Sequence, residues 1–397
     1  MDYSFSEEQD RFRESVRSFC DSSIAPRAAE IDEKGEIPRG IIAAMGEAGL
    51  FGVVLSPEYG GSAGGFIKAA IVAEELGRAD ISMACAVHFL VESGWGFLLE
   101  RYGNALLKKE VLPDVVAGRA FLGIASTEAS GGSDISSTGT VLVKNGEKLM
   151  VNGAKSYISG VIEASRYGGG YVTVARTEPG SHHEGLSLCY LPVCGKEGVT
   201  VSSERQMGRE GISNGFIVIR NVELPAHYLI GEWNRGFYYA MEGFNCARSL
   251  VSAACIGAAD RVLEAGIVHL KRRKVFKTPL AGFEGIRFQL ADCHVRLESA
   301  RLLVYRAAWL LDRMYAGGNV GRGELNRAAA AAKMVAPSAA FDIIREVMSW
   351  HGALGYARPT GLERGLRGVA SYLMGAEGAQ NIMRVIIARE LLGKESD

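Results

Sequence analysis

The sequence predicts an α+β protein in three parts: an N-terminal all-helical domain over 1–120, a central antiparallel β-barrel or sandwich domain over 121–235, and a C-terminal four-helix bundle over 236–397. Three observations predict it. Apolar residues recur at helical spacing in the first and last parts. The middle part switches to short strand-like runs separated by glycine and serine clusters. No long helix lies between those runs, which excludes a βαβ dinucleotide fold. The chain has 397 residues, of which 48% are hydrophobic and 22% charged, a composition that supports a large buried core and excludes a mainly disordered chain.

In the first part, Ser6-Glu7-Glu8-Gln9 has capping-box spacing, and Phe12, Val16, Phe19 and Cys20 then share one helix face. Pro38 opens a second helix carrying Ile41, Ile42, Met45 and Ala48, which Gly49 stops. A loop at Ser56-Pro57-Glu58-Tyr59-Gly60-Gly61 precedes helical patterns over 66–77 and 82–102. In the second part, apolar runs over 140–144 and 148–151 flank Asn145-Gly146, the strongest short hairpin signal. Further strands are predicted over 171–175, 186–191 and 216–222. In the third part, long amphipathic patterns cover 248–271, 285–314, 324–350 and 379–392, the arrangement of a bundle.

Forty-four basic and forty-five acidic residues leave a net charge of −1, which argues against nucleic acid or an anionic membrane surface as a partner. The seven cysteines are scattered and form no C-x-x-C pair, so they read as reduced thiols of a cytoplasmic protein. The acidic start Met-Asp-Tyr-Ser-Phe-Ser-Glu-Glu lacks an apolar signal core, and no membrane insertion is expected. There is no G-x-G-x-x-G, P-loop, H-E-x-x-H or G-x-S-x-G motif. His182-His183 and the nearby Glu184 and Cys189 match no metal-ligand spacing, so no metal site is expected.

At Thr127-Glu128-Ala129-Ser130-Gly131-Gly132-Ser133-Asp134, following a predicted strand, small residues let a planar ring approach the backbone while hydroxyls and amides meet its polar edge. Together with the α–β–α order, this segment resembles the acyl-CoA dehydrogenase family. The resemblance extends along the chain through Pro-Glu-Tyr-Gly-Gly, Asn-Gly-Ala-Lys-Ser-Tyr-Ile-Ser (152–159), Arg-Lys-Val-Phe-Lys-Thr-Pro-Leu (273–280), His-Gly-Ala-Leu-Gly-Tyr (351–356) and Glu-Gly-Ala-Gln-Asn-Ile. It implies bound FAD, with Ile124, Ala125, Ser126, Thr127 and Gly132 as flavin contacts and Ser133 facing both flavin and acyl-CoA. Tyr157-Ile158-Ser159 stands for the family's Trp-Ile-Thr, an aromatic face and a hydroxyl donor against the flavin.

Arg273 and Phe276 match residues that reach the pyrophosphate and adenine of a cofactor held by a neighbouring subunit, for which a guanidinium fork and a phenyl ring are suited. Glu284 and Ser349 occupy positions where the family usually has glutamine, and Gly352 falls in the same cofactor set. Asn245 and Arg248 stand for the family's Asp-x-x-Arg, a contact to the CoA moiety.

Removal of hydrogens from the α and β carbons of a thioester needs a base and a hydride acceptor. A carboxylate in a water-poor pocket has the raised pKa that suits the base. Counted back from Arg384 and Arg389, Glu377-Gly378-Ala379 aligns with the family's Glu-Gly-Thr, which implies Glu377 as base and Gly378 as a substrate contact. Counted forward from Arg367, the same place falls on Ala376, so one inserted residue lies between. The alternative family position for the base is Ala247 here. His88 and Glu92, on the helix expected to line the acyl pocket, are candidate contacts for a polar substrate tail.

The resemblance further implies a homotetramer, or at least a dimer, that passes electrons to an electron-transfer flavoprotein. Alternative readings are an acyl-CoA oxidase or monooxygenase of the same fold, a dehydrogenase for an alicyclic or dicarboxylic acyl-CoA, and a CoA-binding protein without catalysis.

Overall fold

The computed structural model describes residues 4–393. The chain opens with α1 (Glu7–Phe19), α2 (Ala28–Lys34), α3 (Arg39–Glu47), α4 (Gly65–Ala79), α5 (Ala84–Tyr102) and α6 (Ala105–Val116). The predicted capping box is present: Ser6 Oγ accepts from Gln9 N at 3.2 Å and Gln9 Oε1 from Ser6 N at 3.0 Å. Pro38 is the N-cap of α3, one residue before the helix that the apolar pattern places there. The apolar pattern does not set α6 apart as a helix of its own.

The sheet domain holds β1 (Phe121–Ala125), β2 (Val141–Asn145), β3 (Lys148–Ser159), α7 (Val161–Tyr167), β4 (Gly169–Arg176), β5 (Leu186–Pro192), β6 (Val199–Ser203), β7 (Asn214–Pro225) and β8 (Leu229–Ile230). Seven strands run in the order β6-β7-β3-β2-β4-β5-β8, and β1 joins them through β4. Most pairings are antiparallel, as the alternating runs predict. Two depart from that expectation: β1 pairs with β4, and β2 touches β4, in parallel. The parallel β1 strand carries the chain straight from α6 to the edge of the cavity described below.

The C-terminal part contains α8 (Gly236–Arg272), a small hairpin of β9 (Lys274–Val275) and β10 (Thr278–Pro279), α9 (Glu284–Tyr315), α10 (Arg322–Trp350), the short α11 (Ala353–Tyr356), α12 (Leu362–Met374) and α13 (Gln380–Leu392). The four predicted helices correspond to α8, α9, α10 and α13. The α12 helix is additional, and its buried Leu362, Gly365, Val369 and Tyr372 give it a narrow apolar face.

The helical parts share one core. The α4 and α8 helices approach so closely that a Cβ on Gly257 would sit 1.9 Å from the Glu74 carbonyl oxygen, and one on Gly77 would sit 2.2 Å from that of Ala254. Only glycine permits this separation, so the N-terminal and C-terminal helices form a continuous packed layer. All seven thiols are free, and Cys194 alone is exposed. Among the described residues, no helix is long and apolar enough to cross a membrane.

Candidate active site

A cavity of about 880 Å³ opens where the C-terminal end of β1, the bulged end of β3, α8 and the α12–α13 loop meet. Its sheet-side wall is the segment that follows β1. Glu128 organises this wall: its carboxylate accepts from Gly139 N (2.7 Å), Thr140 N (2.9 Å), Thr140 Oγ1 (2.6 Å) and Lys155 Nζ (2.8 Å). Burial opposes ionisation of Glu128, but Lys155 and these donors together hold its carboxyl below the ordinary value. Lys155 is fully buried and also donates to the Ser126 carbonyl at 3.3 Å, which fixes the strand end. Gly132 faces the Thr127 side chain, where a Cβ would come within 3.1 Å of Cγ2, so the wall stays thin at this point.

Tyr157 enters from a β-bulge. Between Lys155 and Ile158 the register of β3 on β7 slips by one residue, and Tyr157 adopts φ +58°. Bulges re-aim side chains, and here the Tyr157 ring is 59% exposed on the cavity wall. Asn214 Nδ2 donates to the Tyr157 carbonyl at 3.3 Å, while its buried Oδ1 has no partner and faces the same space.

Glu377 lies on the opposite wall, in the loop between α12 and α13, with φ +56° followed by Gly378 at φ +106°. A non-glycine residue in the left-handed region costs energy that the surroundings must hold in place. Two buried cations do so through the main chain. Lys333 Nζ donates to the carbonyls of Tyr372 (2.6 Å) and Gly378 (2.8 Å), and Arg248 Nε donates to the carbonyl of Glu377 (3.1 Å). The Gly378 amide donates to Gly375 O at 2.9 Å, so both polar backbone groups of Gly378 are engaged within the protein.

Desolvation raises the Glu377 carboxyl above its ordinary value, against the opposing fields of Lys333, Arg209 and Arg248. Burial likewise lowers Lys333 to about 8 and Arg248 to about 10. The site therefore holds a half-buried carboxyl group that retains its proton more readily than a solvated one, facing a cavity whose other wall offers small residues, hydroxyls and an aromatic ring.

The structure brings Ile124, Ser126, Thr127, Gly132 and Ser133 to this cavity, together with Tyr157, Ile158 and Ser159. Arg248, Glu377 and Gly378 join them from the helical side. Ala376 also lines the cavity, so the inserted residue leaves Glu377 as the carboxylate at that end. Ala125 is buried behind the wall. Asn245 lies one layer back, where its Oδ1 accepts from Arg248 at 3.1 Å and its Nδ2 donates to Asn326 at 2.8 Å.

Arg273, Phe276, Glu284, Ser349 and Gly352 do not line the cavity. They gather at one end of the bundle, at the close of α8 and α10 and the start of α9, where His269 stacks on His351 at 3.8 Å. Phe276 is 90% exposed there.

His88 and Glu92 are buried within α5, with His88 Nε2 3.1 Å from Glu92 Oε1 and the imidazole packed between Phe51 and Phe121. Neither lines the cavity, whereas their neighbour Val91 does. His183 lines it too, with its ring 5.1 Å from that of Phe237. Among the described residues, no group of three or more His, Cys, Asp and Glu could hold a metal ion.

Sequence reasoning did not single out Lys333 or Arg209. Lys333 sits among Ala329, Ala332 and Ala336 on the buried face of α10, and a lysine at an apolar helical phase is the signal that marks it. Arg209 lies in a polar turn that offers no such period.

Three family models match the chain in register with these parts: the N-terminal, middle and C-terminal domains of acyl-CoA dehydrogenase, over residues 6–119, 123–222 and 234–392. The chain belongs to the acyl-CoA dehydrogenase family. An acyl-CoA dehydrogenase of Bacillus subtilis is 32% identical over 388 residues, covering 98% of both chains. The cyclohexane-1-carbonyl-CoA dehydrogenase of Geobacter metallireducens is 31% identical and covers 98% of this chain and 99% of its own. The structure of butyryl-CoA dehydrogenase from Megasphaera elsdenii superposes with a TM-score of 0.91 at 26% identity, covering 99% of this chain and all of its own. As a member of this dehydrogenase family, the protein is an oxidoreductase, and the family implies a flavin cofactor.

Proposed function

We propose that this acyl-CoA dehydrogenase family member removes hydrogens from the α and β carbons of an acyl-CoA thioester, giving the 2,3-enoyl-CoA, with Glu377 as the base. The observation that carries the reading is the position of Glu377: a carboxyl raised by desolvation, on a loop pinned by Lys333 and Arg248, in the cavity it shares with the Thr127–Ser133 segment and Tyr157. The residues present fit FAD. The glycine-thinned wall, the exposed Tyr157 ring and the unpartnered Asn214 Oδ1 suit a planar, polar-edged ring system. Bound FAD supplies the acceptor for the hydride leaving Cβ.

The chain's own residues do the rest. Glu377 in its ionised form takes the Cα proton and becomes a carboxylic acid, which the desolvated pocket tolerates. The field of Lys333, Arg209 and Arg248 favours the ionised form and opposes the rise that desolvation imposes. Ser126, Thr127, Ser133 and Ser159 offer hydroxyls to the polar edges of the ligands, and the apolar Val91, Phe244 and Ile382 exclude water around the acyl group.

Arg273, Phe276, Glu284, Ser349 and Gly352 act on the cofactor of a second copy, which accounts for their clustering away from this cavity and requires at least a dimer, the homotetramer being the form that the family resemblance implies. Electrons leave to an electron-transfer flavoprotein. Anaerobic titration of the purified protein with a panel of acyl-CoA esters is the test. Bleaching of the flavin band by an acyl-CoA, abolished in Glu377→Gln, is expected. A flavin that no thioester bleaches, or one that Glu377→Gln reduces at the unaltered rate, overturns the reading.

A further inference from the structure

Three cations face Glu377, and they are not equivalent. Lys333 spends its ammonium group on two carbonyls, and Arg248 spends its guanidinium on the Glu377 carbonyl and Asn245 Oδ1. Arg209 has no such acceptor. It is only 9% exposed, its Nε is buried without a hydrogen-bond partner, and no carboxylate of the described residues pairs with it. Its guanidinium lies over the face of Tyr372, whose ring centroid is 5.7 Å from Cζ. The buried Tyr372 hydroxyl beside it is a neutral acceptor, and no carboxylate of the described residues is hydrogen-bonded to the guanidinium. A guanidinium removed from water without a hydrogen-bonded counter-ion is costly.

The turn that carries Arg209 is rigid. Its φ is +61°, and its carbonyl accepts from Ile212 N at 3.1 Å. On one side, a Cβ on Gly208 would lie 2.5 Å from the Arg367 carbonyl; on the other, a Cβ on Gly211 would lie 2.2 Å from Ile31. The turn is thereby wedged between α12 and α2. Arg367 anchors it further by donating to the Met207 carbonyl at 3.1 Å while pairing with Asp32 at 2.6 Å. Arg209 thus projects from a fixed backbone onto the wall of the cavity that holds Glu377.

We infer that Arg209 receives a carboxylate at the far end of the acyl group, so that the preferred substrate is the monothioester of a dicarboxylic acid. The inference rests on the dehydrogenase reading of the same cavity. A terminal carboxylate supplies the planar, bidentate acceptor that a guanidinium fork matches. It also brings a second anion to a site where Glu377 alone faces the three cations Lys333, Arg248 and Arg209. The apolar wall at Val91 and Phe244 suits the methylene groups between the two ends.

The test compares thioesters that share the CoA moiety and chain length but differ in the terminal group: glutaryl-CoA against pentanoyl-CoA, and adipyl-CoA against hexanoyl-CoA. Flavin reduction by each is followed in the holoenzyme and in its Arg209→Gln and Arg209→Lys variants, with flavin content and absorption spectrum of the ligand-free variants as controls. The holoenzyme is expected to favour the charged member of at least one pair. Arg209→Gln should cut the preference for the charged member over the neutral one by roughly 10- to 100-fold, beyond any loss that both members share through the lost field on Glu377, and Arg209→Lys should partly restore that preference.

An equal loss for both members of each pair would assign Arg209 to the CoA moiety and overturn the inference. A shifted ligand-free flavin spectrum with unchanged discrimination would assign it to the cofactor and overturn the inference as well. Efficient reduction by the neutral esters alone would overturn this inference and leave the dehydrogenase reading standing. Reduction by neither series would overturn this inference, and the dehydrogenase reading would fall with it only if no other thioester of the acyl-CoA panel bleached the flavin.

Discussion

Two charge clusters in this molecule use the same residue types and reach opposite balances. Where α1, α4 and α9 converge, Glu75 accepts from Arg13 and Arg17 at 2.8 Å each, and Glu74 accepts from Arg13 (3.0 Å), Arg301 (3.2 Å) and the Tyr305 hydroxyl (2.6 Å). Every buried carboxylate there is met by side chains of other helices. Around Glu377, Lys333 and Arg248 are instead tied to main-chain carbonyls, and no side chain of the described residues is hydrogen-bonded to the carboxylate. Charges that serve cohesion are saturated by one another. Charges around the proposed base are held near its carboxylate while their hydrogen bonds go to the main chain and to an amide oxygen.

The largest effect that would break this comparison is at Glu377 itself. Glu377→Gln should lower the rate of substrate-driven flavin reduction by roughly 10³- to 10⁴-fold in stopped flow, with little change in unfolding midpoint. In the cohesive cluster the balance of effects is reversed. Glu75→Gln should cost about 2 kcal/mol of stability in denaturant titration, because it leaves Arg17 without its carboxylate and Arg13 with Glu74 alone.

Although burial opposes its ionisation, the arginine hydrogen bonds hold Glu75 below the ordinary carboxylate value. Its contribution is therefore fully present above that value and is lost as pH falls through the depressed one. The acid limb of wild-type unfolding should be correspondingly steeper than that of the variant.

Lys333→Met sharpens the comparison from the site's side. Removing this cation lets desolvation raise Glu377 further, so the acid limb of the pH–rate profile should move to higher pH. The maximal rate should fall by roughly tenfold as the loop loses its two carbonyl anchors. A profile that moves to lower pH would show that Lys333 does not act on Glu377. The smallest expected effect is Ser6→Ala, which removes the cap of the helix that carries Arg13 and Arg17 and should cost about 1 kcal/mol.

The helix–sheet–helix order was legible because period and turn chemistry are local properties: the capping box at Ser6 and the Asn145-Gly146 hairpin stand where they are read. The wall residues after β1, the Tyr157 segment and Glu377 are candidates through their resemblance to a known family, and the structure brings them to one cavity. What escaped depends on contacts between distant segments. The parallel pairing of β1 with β4 is chosen by packing, and the bulge at Tyr157 by a slip of β3 on β7. Arg209 becomes visible only once α12, which the apolar pattern does not announce, places Tyr372 against it. Arg248 was read as a CoA contact, and its bond to the Glu377 carbonyl joins residues far apart in the chain that no spacing could reveal.

The glycine contacts between α4 and α8 have a consequence for the nascent chain. The face of α4 around Gly77 finds its cover on Gly257 and its neighbours, which leave the ribosome only after the whole sheet domain has been made. Until then the emerging N-terminal helices carry an apolar surface with no mate. A fragment ending before α8 should therefore accumulate as aggregate rather than as a free-standing domain.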